Sequence, residues 1–163
     1  MRNAIRIMAI LALSASAALA VERSPNGIAM PPEYRNWRIV SIDQQTDNHT
    51  LRAIVANDIG IEAARAGQTQ PWPEGAILGK LVWKNAIHPK WAAATIAGDF
   101  VNADFMVKDS TRFAGTGGWG FARWLGTELK PYGNDAAIAN ECFGCHGIVR
   151  DSDWVFTRPA TMP

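Results

Sequence analysis

The sequence is poor in cysteine, with only two, which excludes a disulfide scaffold; a chain of this size buries a core without staples. It also lacks an excess of charge of one sign. Sixteen Lys and Arg stand against fifteen Asp and Glu, and a net charge of +1 provides no basic field for capturing nucleic acid. No segment reaches the roughly 20 apolar residues that a membrane-spanning helix needs. Backbone punctuation, by contrast, is plentiful. Fourteen Gly and nine Pro among 163 residues argue against a simple bundle of long helices. With 48% hydrophobic and 19% charged residues the balance is that of a globular chain, long enough for one domain or a small pair.

The N-terminus reads as a targeting segment. Arg2 and Arg6 form a positive start, Ile7 to Leu13 a short apolar run, and Ala18-Leu19-Ala20 a small-residue cleavage site before Val21. A membrane anchor is the alternative, and the run is too short for it. Residues 1–20 are therefore expected to be a cleaved signal peptide. Its loss leaves 14 basic and 15 acidic residues, a charge of −1, in a mature domain of residues 21–163. That domain is expected to be soluble, without a membrane span, and exported to a bacterial periplasm.

Along the mature chain, Pro25, Gly27, Pro31 and Pro32 mark an irregular lead-in. Trp37 to Val40 and Leu51 to Val55 read as short strands around a polar turn at Asp43–Thr50. Asn57 or Asp58 caps a short helix through Arg65 that Gly67 stops, and residues 71–75 form a rigid turn before a strand from Ala76 to Lys84. Residues 85–98 mix Asn, Pro and Gly and suggest a loop or a single helical turn. Phe100 to Lys108 is a clear strand, with Val101, Ala103, Phe105 and Val107 on one face. Four glycines between Gly115 and Gly120 precede another strand at Phe121 to Leu125. Asn134 or Asp135 caps a helix through Ala136–Glu141, and Trp154 to Thr157 is a last strand-like piece. The fold class that follows is α+β, a predominantly antiparallel β-sheet with short helices, the last of which delivers the two cysteines.

The strongest chemical signal is Cys142-Phe143-Gly144-Cys145-His146, a C-x-x-C-H motif. Two thiols at this spacing can add to the two vinyl groups of one haem, and the histidine that follows is placed to ligate the iron. A thioredoxin-like site would need a βαβ context, and a zinc site a fourth ligand nearer than His49 or His88. In a chain whose only cysteines form this motif, covalently attached haem c is the reading favoured. The motif stands close to the C-terminus, with only Met162 after it as a candidate axial methionine; Met30 and Met106 precede it. An open or weakly held sixth position on the iron is expected, which suits binding or transforming small molecules.

Several segments together resemble the cytochrome P-460 family and its relative cytochrome c′-beta. They are Tyr34 to Trp37, Trp72-Pro73-Glu74-Gly75 before a lysine-bearing strand, Met106 to Phe113, Gly117-Gly118-Trp119-Gly120, the C-x-x-C-H motif and Asp153 to Thr157. The resemblance implies a periplasmic, β-rich, homodimeric haem protein. It implies either oxidation of hydroxylamine or handling of nitric oxide, with electrons passed to a redox partner cytochrome. The alternatives are a nitric oxide-binding protein without turnover and a simple electron carrier.

The resemblance also implies roles for two further residues. The family's lysine bonded to the haem macrocycle falls on Lys80, five residues after Gly75. Strand alternation puts Lys80 on one face with Leu78 and Val82, where an edge-strand lysine reaching solvent is the plain alternative. A carboxylate of the hydroxylamine-oxidising members falls on Asp104, where it is a candidate general base over the iron. Its alternative is a solvent-facing strand face shared with Asn102 and Lys108. The cytochrome c′-beta branch would instead place aromatic side chains there, and Phe100 and Phe105 lie nearby in sequence. Trp119, Trp124, Trp154 and Phe156 are expected to pack in the core or against the haem edge. Arg123 or Arg158 could pair with haem propionates, with surface placement as the alternative. His49 and His88 sit in polar turns and are expected to be exposed.

Overall fold

A computed structural model describes residues 21–161. The expected signal peptide and Met162 lie outside these residues. Six antiparallel strands follow one another in sheet order as in sequence: β1 (Arg38–Gln45), β2 (Thr50–Ala56), β3 (Ile77–His88), β4 (Trp91–Lys108), β5 (Trp119–Leu125) and β6 (Lys130–Pro131). Two short helices, α1 (Asp58–Ala66) and α2 (Ile138–His146), accompany the sheet, so the α+β expectation holds. No helix among the described residues is long and apolar enough to cross a membrane.

Local chemistry builds α1 as the sequence suggests. Asn57 Oδ1 accepts from the Gly60 backbone N–H, and Gly67 closes the helix at a φ of 67°. The same Asn57 oxygen also accepts from Ile77 N–H, tying the helix start to β3.

Residues 85–98 are a correction. They are neither loop nor helical turn but the distal half of a β3–β4 hairpin that turns at Pro89 and Lys90. Small residues with weak strand preference are carried there by pairing with the opposite strand. At Gly98 a Cβ would lie 3.0 Å from the Lys84 carbonyl oxygen, so the two strands come together through the absence of a side chain. Residues 154–157 are also not a strand. Asp153 and Trp154 take φ values of 52° and 58°, which turn the chain out of extended geometry, and the segment beyond forms no ladder. Helix α2 begins two residues later than expected and carries the whole C-x-x-C-H motif within it; Asp135 caps the preceding turn by accepting from Ala137 N–H.

Period-two alternation sorts the sheet into two apolar faces. One face holds Tyr34, Ala103, Phe105, Ala122 and Trp124 around the lead-in residues Ile28 and Met30. The other holds Ile54, Leu78, Trp119, Phe121 and Val155, against which Met106, Cys142, Phe143 and Trp154 pack. Helix α2 therefore covers this second face, and the site lies between them.

Candidate functional site

Register lines up the polar residues of that second face. Ile54 pairs with Lys80, Lys80 with Asp104 and Asp104 with Arg123, one row across β2, β3, β4 and β5. The adjacent row on one side is Ala56, Leu78, Met106 and Phe121, all apolar. Cross-strand neighbours stand close enough to interact directly. Lys80 Nζ is 2.7 Å from Asp104 Oδ2, and the Arg123 guanidinium holds Asp104 through Nε at 2.6 Å and Nη2 at 3.2 Å. Asn102 Nδ2 donates to Asp104 Oδ1 at 2.8 Å. Both carboxylate oxygens are thereby engaged twice, which uses the acceptor capacity of an ionised aspartate. Burial pushes the Asp104 carboxyl up, but the Lys80 ammonium and the bonds and charge of Arg123 outweigh it, so it titrates below the ordinary range.

The solvent-facing alternative for Asp104 is therefore corrected. The face it shares with Asn102 and Lys108 is covered, and Asn102 and Lys108 are themselves buried. Charged residues are retained there because each has a partner.

Opposite the row, α2 turns its motif inward. Cys142, Cys145 and His146 stand at i, i+3 and i+4, which share one helix face. Both thiols are free, Cys142 half-buried and Cys145 exposed. Burial pushes the Cys142 thiol up. His146 Nδ1 lies 2.7 Å from the Trp154 carbonyl oxygen. A carbonyl can only accept, so Nδ1 of the neutral ring carries the proton and Nε2 keeps its lone pair. Burial lowers the histidine's affinity for a further proton, which favours that neutral form. The rings of Phe121 and Phe156 flank it at centroid distances of 5.1 and 5.0 Å.

Sheet and helix enclose a cavity of about 450 Å³ that brings Lys80, Asp104, Cys142, Cys145 and His146 together on its walls. Its size falls in the range of cofactor sites. Ile54, Leu78, Met106, Phe121 and Val155 give it an apolar lining, and Arg52, Lys80 and Arg123 bring cations to its border. The residues fit a haem: paired thiols on one helix face, an imidazole with a free Nε2, apolar walls for a macrocycle and cations for its propionates.

Other expected residues fall elsewhere. Phe105 borders the cavity but packs its ring in the cluster of the opposite face, edge-on to Tyr34, Trp37 and Trp124, and Phe100 packs against Trp83. The aromatic rings beside the motif are Phe121 and Phe156, the latter exposed rather than core. Trp119 and Trp124 are fully buried, as expected. Of the methionines, Met106 borders the cavity, whereas Met30 packs in the other cluster. Arg158 and His49 are exposed; His88 is half-buried and accepts from Lys90 N–H. Arg52, Asp43 and Asn48 at the cavity border were not singled out from sequence. Arg52 had a signal: alternation from Ile54 places it on the same face.

No match is found among curated proteins. The family model described as Cytochrome P460 matches residues 31–157, most of the chain and all of the elements that build the cavity. The chain belongs to that family of haem-bearing c-type cytochromes.

Proposed function

We propose that this cytochrome is an exported, mono-haem protein that takes hydroxylamine or nitric oxide at an open iron position. The observation that carries the reading is one cavity with Cys142, Cys145 and His146 on one wall and the Lys80–Asp104–Arg123 row on another. In it, Cys142 and Cys145 would hold the macrocycle through thioether bonds, and His146, with Nε2 free, would be the residue to ligate the iron. The bound group supplies an iron centre that binds small nitrogenous molecules and accepts their electrons.

The chain's own part is placement and proton handling. The apolar walls exclude water from the bound molecule, and Trp154 holds the histidine's other nitrogen. Asp104, kept ionised by its partners, is the group to accept a proton from the substrate's N–H or O–H. Two cations also weaken it as a base. Bonding of Lys80 to the macrocycle, as the family likeness implies, would remove one of those charges and leave Asp104 held by Arg123 and Asn102. Electrons pass on to a partner cytochrome, and the working unit is a homodimer. The leader from Arg2 to Ala20 supports export to the periplasm.

A second reading, nitric oxide binding without turnover, is favoured by the complete engagement of the Asp104 oxygens and by Phe121 and Met106 at the cavity. Spectra of the purified ferrous protein and steady-state assay with hydroxylamine separate the two. A strongly displaced Soret band and hydroxylamine-dependent reduction of an acceptor support the enzyme. An ordinary haem c spectrum with nitric oxide binding and no turnover supports the binder. Haem that survives acid–acetone extraction from a Lys80→Met/Cys142→Ala/Cys145→Ala protein would overturn the attachment on which both depend.

A further inference from the structure

A second lysine–aspartate pair lies beneath the turn that follows α2. Lys108 Nζ is 2.8 and 2.9 Å from the two oxygens of Asp153, and the side chains are only 5% and 8% exposed. Asp153 Oδ2 also accepts the Trp72 backbone N–H at 2.9 Å, and the ammonium lies 5.0 Å from the centre of the Trp119 ring. Neither Lys108 nor Asp153 borders the cavity. They reach the site through one residue.

Asp153 and Trp154 are consecutive non-glycine residues in the left-handed region, at φ 52° and 58°. Such a backbone persists only where its surroundings over-determine it. Here the ion pair and the Trp72 N–H fix Asp153, and Gly117 lies so close to the Trp154 ring that a Cβ would come within 2.8 Å of it. The result is a carbonyl, that of Trp154, held 2.7 Å from His146 Nδ1. A histidine that donates its second N–H to a carbonyl has a fixed ring plane and a more basic metal-facing nitrogen.

We propose that Lys108 and Asp153 are positioning residues for His146, a buried ion pair that locks the left-handed turn so that the Trp154 carbonyl holds the histidine's Nδ1 proton. This role rests on the reading of His146 as the iron's axial ligand. It gives the pair an electronic consequence that mere core closure would not have. Stronger donation from Nε2 favours ferric over ferrous iron, so loosening the turn should raise the midpoint potential and weaken the iron–histidine bond.

The test uses the haem-loaded full chain, with resonance Raman spectra of the ferrous form and potentiometric titration. Two variants are compared with wild type: Asp153→Asn, which keeps the shape, and Lys108→Met/Asp153→Asn, which leaves no unpaired buried charge. Leu129→Ala, in the cluster on the other face of the sheet, serves as a destabilised control. In both pair variants the iron–histidine stretch should move to lower frequency and the midpoint potential should rise, more in the double variant. Leu129→Ala should lower Tm and move neither. In the unaltered ferrous protein, NMR should find the Nδ1 proton of His146 in slow exchange with solvent, a readout that needs no variant.

A stretch and potential at wild-type values in either pair variant would overturn the proposal. So would an equal shift in Leu129→Ala, or solvent-limited exchange of that proton. Absence of any iron–histidine band from the unaltered protein would overturn the ligand assignment itself, and the positioning role with it.

Discussion

Two lysine–aspartate pairs meet on one face of β4, four residues apart, and they differ in everything but their chemistry. At Asp104 the carboxylate borders a cavity and is shared by Lys80, Arg123 and Asn102. At Lys108 the ammonium is sealed beneath the turn after α2 and has Asp153 as its carboxylate. The contrast comes from what covers each place. The turn at residues 147–154 closes over Lys108, while α2 stands away from Asp104 and leaves room for a ligand between them. A shared carboxylate keeps a partner when one cation is lost. A sealed pair that loses one member leaves the other charged and dry. The first arrangement suits proton chemistry, the second suits holding a backbone in place.

That contrast can be broken most directly at Asp104. Replacement by Ala should lower hydroxylamine turnover by a factor of ~10²–10⁴, the usual weight of a general base, while covalent haem is retained. Asp104→Glu should keep activity if the carboxylate matters more than its reach. Turnover at the wild-type rate in Asp104→Ala would remove the catalytic half of the comparison.

The sealed pair should show the larger stability effect. Lys108→Met should cost about 3–5 kcal/mol in denaturant unfolding, as expected when one partner of a buried pair is removed. A loss below about 1 kcal/mol would mean that Asp153 finds water, and the pair would then be ordinary surface chemistry. Lys80→Met sharpens the same comparison from the other side. Arg123 and Asn102 remain on Asp104, so the loss should stay near or below about 1 kcal/mol.

The smallest effect is in acid. The folded-state pKa of Asp104 lies below its ordinary value of 3.8, so the unfolded chain takes up the proton first as pH falls. The stabilisation from this group is complete above that ordinary value and is lost as pH drops through the lower folded value. Unfolding midpoints of wild type and Asp104→Asn should therefore converge on acidification. Curves that stay parallel below pH ~4 would show that Asp104 contributes no such linkage.

How far the sequence could be read depended on how local the cause was. Helix α1 was legible to its ends because Asn57 and Gly67 act within one turn of the residues they cap. The hairpin through residues 85–98 was not, because Ala, Gly and Asn there become strand only by pairing with a partner strand. Trp154 to Thr157 looked like a strand by composition, but the turn at Asp153 is set by Lys108, 45 residues away. The motif at Cys142 to His146 was legible outright. Lys80 and Asp104 were found through family likeness, with alternation saying which neighbours share their faces. Arg123 was singled out only for haem propionates, and nothing in the sequence pointed to its pairing with Asp104 or to that of Lys108 with Asp153.

By itself, then, the sequence determined the elements with local causes: the capped helix, the alternating strands, and two thiols and an imidazole spaced to share one helix face. Tertiary structure decided the rest. Strand register set Lys80, Asp104 and Arg123 in a single row, since a shift of one residue would send each side chain to the opposite face. The packing of α2 and its following turn decided which part of that face became a cavity and which became a sealed core. Alternation is a property of one strand, but whether a charge is solvated, shared or buried depends on what the rest of the chain lays over it.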